Sequence, residues 1–360
     1  MEQNLSLQNN SKKRNLSLDI LKILSMIMVI ILHTKIYGLR DATLAPYSSV
    51  YWVVLIFYIF SLVAVNCFVL ISGYFISESS LQPKKLLKLW LQTFIFSAGI
   101  FFIVCIFNKN AFGFGELLSQ VLPVMSNQYW FFTCYFVLML LSPFINKFIN
   151  SLEQKDFKKL IFVLLFIFMA IPTLNIFGDN FDSSKGYSAT WFIVLYCVGA
   201  YIRRFPLPQK PYGVFYIAIS LVSVFINALL EGFEDKLLLF TNIKSIFSRY
   251  NSATVFLASL CLFLFFVSRP IYTDKKWGKI ITTASASSFC VYLIHEHPYI
   301  RSFIWNDTVK LFETTDNLGS YLLRMLISII SILLIGIFIG FVLNNFINFI
   351  EKLITKLKNK

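Results

Sequence analysis

The stretch Asn15–Tyr37, NLSLDILKILSMIMVIILHTKIY, decides how the chain is read. It is apolar from Ile20 to Leu32, and with its flanks it reaches the roughly 20 helical residues that a bilayer core requires. Yet it carries Asp19, Lys22 and His33. An ionisable side chain at the bilayer centre costs roughly 2.5–3.5 kcal/mol on insertion scales, so such groups face protein or water. Lys22 and His33 stand eleven residues apart. That is about 16 Å along a helix, and eleven steps of about 100° return to nearly the same face. Asp19, one turn before Lys22, shares it. One helix thus presents a carboxylate and an ammonium towards one end and an imidazole towards the other. The spacing leaves two readings open. One is an interfacial pair, with Lys22 snorkelling to the headgroups, beside a packed histidine. The other is a reaction channel.

The remaining 337 positions follow the same pattern in coarser form, within a chain of 360 residues that is 57% hydrophobic with a mean hydropathy of +0.71. Apolar runs long enough to span recur throughout, which predicts an all-α polytopic membrane protein. Ten spans are expected, over 17–37, 50–76, 86–107, 129–149, 159–177, 189–204, 212–230, 252–268, 280–300 and 320–350. No polar stretch is long enough to fold separately, so residues 1–360 are expected to form one domain, and any chemistry must lie within the bundle. The net charge of +14 is spread over alternate turns. Lys12, Lys13 and Arg14, Lys84 and Lys85, Lys158 and Lys159, Arg203 and Arg204, and Lys275 and Lys276 fall on one side. The other side carries fewer basic residues and the acids Asp179, Asp182, Glu231, Glu234 and Asp235. By the positive-inside rule both termini are expected in the cytoplasm, in a cell membrane. The expected partner is the bilayer and not nucleic acid. The first span is followed by no small-residue cleavage pattern and reads as uncleaved.

The six cysteines lie in apolar runs with no CxxC pair and read as small buried hydrophobes. No metal site is expected. His295-Glu296-His297 is not a zincin motif, whose two histidines stand four positions apart.

Several constellations carry polar groups into apolar surroundings. Asn66 and then Ser72-Gly73-Tyr74 close the second span. A small-residue helix contact with an aromatic belt residue is the simpler account. Lys84 and Lys85 form a basic turn that sets topology or holds phosphates. Tyr129, Trp130 and Trp191 fall at the outer boundary, where a belt and a sugar-stacking surface have the same composition. His295 and Glu296, with Arg301 beyond, fall near the outer end of the ninth span, where a carboxylate can orient a histidine.

Taken together, Lys22…His33, Ser72-Gly73-Tyr74-Phe75, Tyr129-Trp130-Phe131 with Pro143, and Ser287-Ser288-Phe289-Cys290-Val291-Tyr292-Leu293-Ile294-His295-Glu296 resemble the acyltransferase 3 family. The likeness is greatest to stand-alone bacterial surface-polysaccharide O-acetyltransferases. It implies transfer of an acyl group, usually acetyl from cytoplasmic acetyl-CoA, to a hydroxyl of a glycan or its lipid-linked precursor. Acetyl-CoA would be a substrate, with no permanently bound cofactor. On that resemblance His33 is catalytic, as general base or as acyl carrier, with His295 and Glu296 beside it. Lys22, Asp19, Ser72, Gly73, Tyr74, Lys84 and Lys85 would serve the donor. Tyr129, Trp130, Trp191 and Arg301 would serve the acceptor. Lysine stands at position 22 where many relatives have arginine, which keeps the charge and loses the bidentate fork. A transporter of a lipid-linked sugar is the competing reading, since intramembrane charges and an aromatic rim suit it too.

Overall fold

The computed structural model describes residues 14–40, 44–78, 83–109, 112–174, 184–232 and 246–358. Lys12, Lys13, Asp179, Asp182, Glu234 and Asp235 lie outside the described residues, as does the end of the fifth expected span. Helices account for the regular structure, and no strand occurs among the described residues. In chain order the α-helices of eight or more residues are α1 (Ser17–Ile36), α2 (Ser49–Ser61), α3 (Val63–Ile76), α4 (Pro83–Phe107), α5 (Phe114–Val121), α6 (Trp130–Asn150), α7 (Gln154–Leu165), α8 (Ala189–Arg204), α9 (Tyr212–Gly232), α10 (Ala253–Val267), α11 (Lys275–His295) and α12 (Leu318–Lys358). Side-chain caps start several of them. Ser48, Ser188, Ser252 and Asp274 accept from the backbone N–H of Tyr51, Trp191, Val255 and Trp277.

A helix stands at each of the ten expected positions, but among the described residues seven are long and apolar enough to cross a membrane. The chain is a multi-pass membrane protein. The other three positions differ for physical reasons. α8 and α10 are 16 and 15 residues long, short of a full bilayer core. α11 has the length but carries Ser285, Ser287, Ser288 and two threonines in its middle. It also starts and stops five residues earlier than expected. Pro298 follows His297, and proline disfavours the α region for the residue before it. His297 accordingly adopts φ −59°, ψ 129°, and the helix ends at His295.

α1 runs through the middle of the bundle and packs against α2, α3, α10, α11 and α12. Its first turn is anchored to the segment after α10. Asn15 Oδ1 accepts from the N–H groups of Ser17 and Ile271, and Leu16 N donates to Ile271 O. Two close helix approaches set the frame around it. Gly73 of α3 and Gly199 of α8 lie so near the opposite backbones that a methyl on either would collide with Tyr196 O or Leu70 O. Gly336 and Gly340 of α12, one small-xxx-small step apart, take Val291, Cys290 and Ser287 of α11 against the bare backbone. Cys67, Cys197 and Cys290 are buried as expected, whereas Cys105, Cys134 and Cys261 are only partly so.

Candidate active site

α1 delivers His33 and α11 delivers His295 to one point. His33 Nδ1 lies 3.0 Å from His295 Nε2 and 3.2 Å from Glu296 Oε2. The proton positions follow from the partners. His295 Nδ1 is 2.6 Å from the carbonyl oxygen of Val291, so it carries the hydrogen and leaves Nε2 as an acceptor. His33 Nδ1 must then donate. Its N–H is aligned with His295 Nε2, while Glu296 Oε2, though near, makes no aligned hydrogen bond. A neutral His33 with hydrogen on Nδ1 has its lone pair on Nε2. That nitrogen makes no hydrogen bond among the described residues, and His33 lines a cavity.

The carboxylate behind the pair is fixed by its other oxygen. Glu296 Oε1 accepts from Tyr37 Oη at 2.7 Å and from Arg301 Nη1 at 3.1 Å, and Arg301 also donates to Tyr37 Oη at 3.2 Å. Glu296 occupies the cap just beyond α11, still right-handed helical with its N–H on Tyr292 O, so it follows the helix's own course, and the break imposed by Pro298 turns the chain only after it. Tyr37 sits one turn after His33, with ring centroids 5.0 Å apart.

The cavity encloses about 340 Å³ and is lined from Lys22 at one end to His33, Ile36 and Tyr37 at the other, with Ser72, Trp130, Tyr135, Tyr187, Tyr250, Ser285 and Tyr292 among its walls. Lys22 Nζ lies 5.8 Å from the Phe75 ring centroid, and no carboxylate is within ion-pair distance of it among the described residues. Asp19 does not pair with Lys22. It is buried, held by a two-point contact from Arg14 (both N···O 3.0 Å) and by Ser285 Oγ at 2.8 Å. It lines a second cavity of about 300 Å³, with Arg14, Tyr74, Phe75 and Arg203. The Lys22–Phe75 contact thus lies between the two chambers.

The remaining sequence-derived candidates divide. Ser72 lines the main cavity and is 3.1 Å from Tyr135 Oη. Gly73 lies in the α3–α8 contact and outside the lining. Tyr74 lines the second cavity, its ring 5.1 Å from the Arg203 guanidinium. Lys84 and Lys85 are exposed and line neither cavity. Trp130 lines the main cavity against Tyr187 (4.4 Å) and Tyr250 (5.8 Å). Tyr129 and Trp191 are fully buried elsewhere. Tyr129 Oη donates to Leu293 O, and Trp191 Nε1 donates to Asn66 Oδ1. Arg301 acts on Glu296 and does not line the main cavity. His297 turns away, its Nε2 3.2 Å from Ser97 O. Sequence reasoning missed Tyr37, Arg14, Tyr187 and Tyr250. Tyr37 had a signal, as a hydroxyl one turn from His33; Tyr187 and Tyr250 sit at loop–helix junctions with no periodicity to mark them.

Three ligand-type atoms, from His33, His295 and Glu296, lie within 4.8 Å of one another and are buried. No cysteine joins them.

A bundle of apolar helices encloses a cavity lined by His33, with His295 and Glu296 behind it, the arrangement of a membrane-embedded enzyme. A family model described as an acyltransferase domain matches residues 15–344, and the chain belongs to that family, acyltransferase 3. It is an acyltransferase. No curated protein and no solved structure matches it.

Proposed function

We propose that this protein moves an acetyl group from cytoplasmic acetyl-CoA to a hydroxyl of a cell-surface polysaccharide or its lipid-linked precursor. The single observation that supports this best is the state of His33: Nδ1 is held by His295 and the other nitrogen is free in a cavity that begins at Lys22. In this reading ten spans place both termini in the cytoplasm, and residues 1–360 act as one unit. The N-terminal end of α1 then faces the donor. The donor's phosphates meet Arg14 and Arg203 in the second cavity, where guanidinium groups suit phosphate. Its narrow thioester arm passes Lys22 and Phe75 into the main cavity. The acceptor sugar enters among Trp130, Tyr187 and Tyr250, whose faces suit an apolar sugar surface.

His33 Nε2 takes the proton of the acceptor hydroxyl as its oxygen bonds to the thioester carbonyl carbon. Collapse breaks the carbon–sulfur bond, and the leaving thiolate takes the same proton from Nε2. During the step the imidazolium keeps its Nδ1 hydrogen on His295, and Glu296 at 3.2 Å offsets the new charge. Held reactants also gain the entropic advantage of a fixed geometry.

The test uses membranes with labelled acetyl-CoA, following label into envelope glycan for wild type and His33→Ala. Label from wild type alone supports the enzyme and its base together. Equal label from both retires His33. Label from neither, with inserted protein and native glycan present, overturns the donor or the acceptor class.

A further inference from the structure

We infer that His33, His295 and Glu296 form a binding site for a divalent transition cation of the zinc class, and that the bound cation switches the acyltransferase off. Two histidine nitrogens and one carboxylate oxygen are a common zinc donor set with one position left over. Tetrahedral zinc at 2.0–2.1 Å from each donor separates the donors by about 3.3–3.4 Å. Here His33 Nδ1 stands 3.0 Å from His295 Nε2 and 3.2 Å from Glu296 Oε2. His295 Nε2 and Glu296 Oε2 lie within 4.8 Å of each other, so the two rings part by a few tenths of an ångström and the carboxylate swings in by at most about 1.5 Å to reach that spacing.

Two of the three ligands are held as in a prepared set. Metal-bound histidines are generally fixed through their other nitrogen, and ligating carboxylates through their other oxygen. His295 Nδ1 donates to Val291 O at 2.6 Å, and Glu296 Oε1 accepts from Tyr37 and Arg301. That leaves Oε2, in a side chain only 5% exposed, without an aligned donor and directed at the two rings. All three groups are buried; His33 lines the main cavity, and His295 lines a separate apolar one with Ile294 and Ile300.

The inhibitory sense follows from the tautomer. A cation can bond to His33 Nδ1 only when the hydrogen leaves that atom. The hydrogen moves to Nε2, and the ring stays neutral. With Nε2 protonated, the lone pair that would accept the hydroxyl proton is gone. The metal site stands on geometry alone, whereas the inhibitory effect rests on the proposed acetyl transfer.

The experiment titrates Co²⁺ into the detergent-purified full-length protein after chelator treatment, reading the visible d–d absorption of a four-coordinate site. Variants are first shown to be monodisperse and helical. One equivalent of Co²⁺ is expected to give the band in wild type and in His297→Gln, with loss in His33→Ala and His295→Ala. Zn²⁺ is expected to displace the band and lower acetyl transfer at least tenfold, with recovery on adding EDTA. Absence of the band in folded wild type, or a band unchanged in both His33→Ala and His295→Ala, overturns the site. Transfer unchanged at saturating Zn²⁺ overturns the switch. A band that behaves as expected in a wild type that transfers no acetyl group supports the site and counts against the proposed function alone.

Discussion

His33 Nδ1 and His295 Nε2 meet at 3.0 Å across 262 residues of chain. That contact fixes which nitrogen of His33 carries hydrogen, and so which one is open to the cavity. Removal of the ring is expected to lower acetyl transfer by about 10²–10⁴-fold, the usual worth of a positioned general base. His33→Ala and His33→Gln should both remain inserted and folded. Transfer should also decline as the medium is acidified, because an imidazolium has no lone pair to accept the hydroxyl proton. Initial rates with labelled acetyl-CoA over a pH series measure both effects.

Glu296 acts on the imidazole and touches no reactant in this scheme. Glu296→Gln keeps the shape and removes the charge that offsets the imidazolium. The expected loss is about 10–100-fold in kcat with little change in KM for acetyl-CoA, as for a misaligned catalytic group. Arg301→Ala removes one of the two donors on Oε1 of the same carboxylate and should follow the same pattern more weakly. A rise in KM with unchanged kcat would instead make Glu296 a binding group.

How far the site could be read from sequence depends on chain distance. Lys22 and His33 lie on one helix, so a period of 3.6 residues brought them to one face. His295 and Glu296 stood out as ionisable groups at the end of an apolar run. Their meeting with His33 was not readable, because it depends on how α1 and α11 pack. The same holds for Arg14 on Asp19. The i, i+3 rule favoured Lys22 as a neighbour of Asp19, but Arg14 precedes the helix and can curl back with both nitrogens. The boundary aromatics divided for a similar reason. Tyr129, Trp130 and Trp191 have equal composition, and only packing sends two inward and one to the cavity.

Asn66 tests the bundle without touching the chemistry. Its Nδ2 donates to Tyr250 O at 2.9 Å and to Ser259 Oγ at 3.2 Å, and its Oδ1 accepts from Trp191 Nε1 at 3.1 Å. Asn66→Ala leaves the indole N–H of a fully buried tryptophan unpaired, at a cost of about 1–3 kcal/mol. A lowered thermal midpoint in detergent is the expected result. An unchanged midpoint would mean that water or a neighbour replaces the amide.

Gly73 separates a packing role from a donor-binding role. A methyl there meets the Tyr196 carbonyl across the α3–α8 contact, and overpacking of this kind costs about 1–3 kcal/mol. Gly73→Ala is therefore expected to lower thermal stability and yield. The fraction that remains folded should keep a near-normal KM for acetyl-CoA. A raised KM in folded protein of normal stability would restore Gly73 to the donor site.

Lys22 is the sharper probe of the donor path, because it lies between the two chambers and has no carboxylate within ion-pair distance among the described residues. A charge-assisted hydrogen bond contributes about 1.5–3 kcal/mol, and each 1.36 kcal/mol is tenfold. Lys22→Ala should therefore raise KM for acetyl-CoA by at least about tenfold. Lys22→Arg keeps the cation and should stay within a few-fold of wild type. Two alternatives give other patterns. If Lys22 only snorkels, both variants behave as wild type in transfer. If its ammonium acts on the reacting centre, Lys22→Ala lowers kcat at saturating donor and leaves KM in place. Steady-state kinetics on the two variants, with donor and acceptor varied in turn, distinguishes all three.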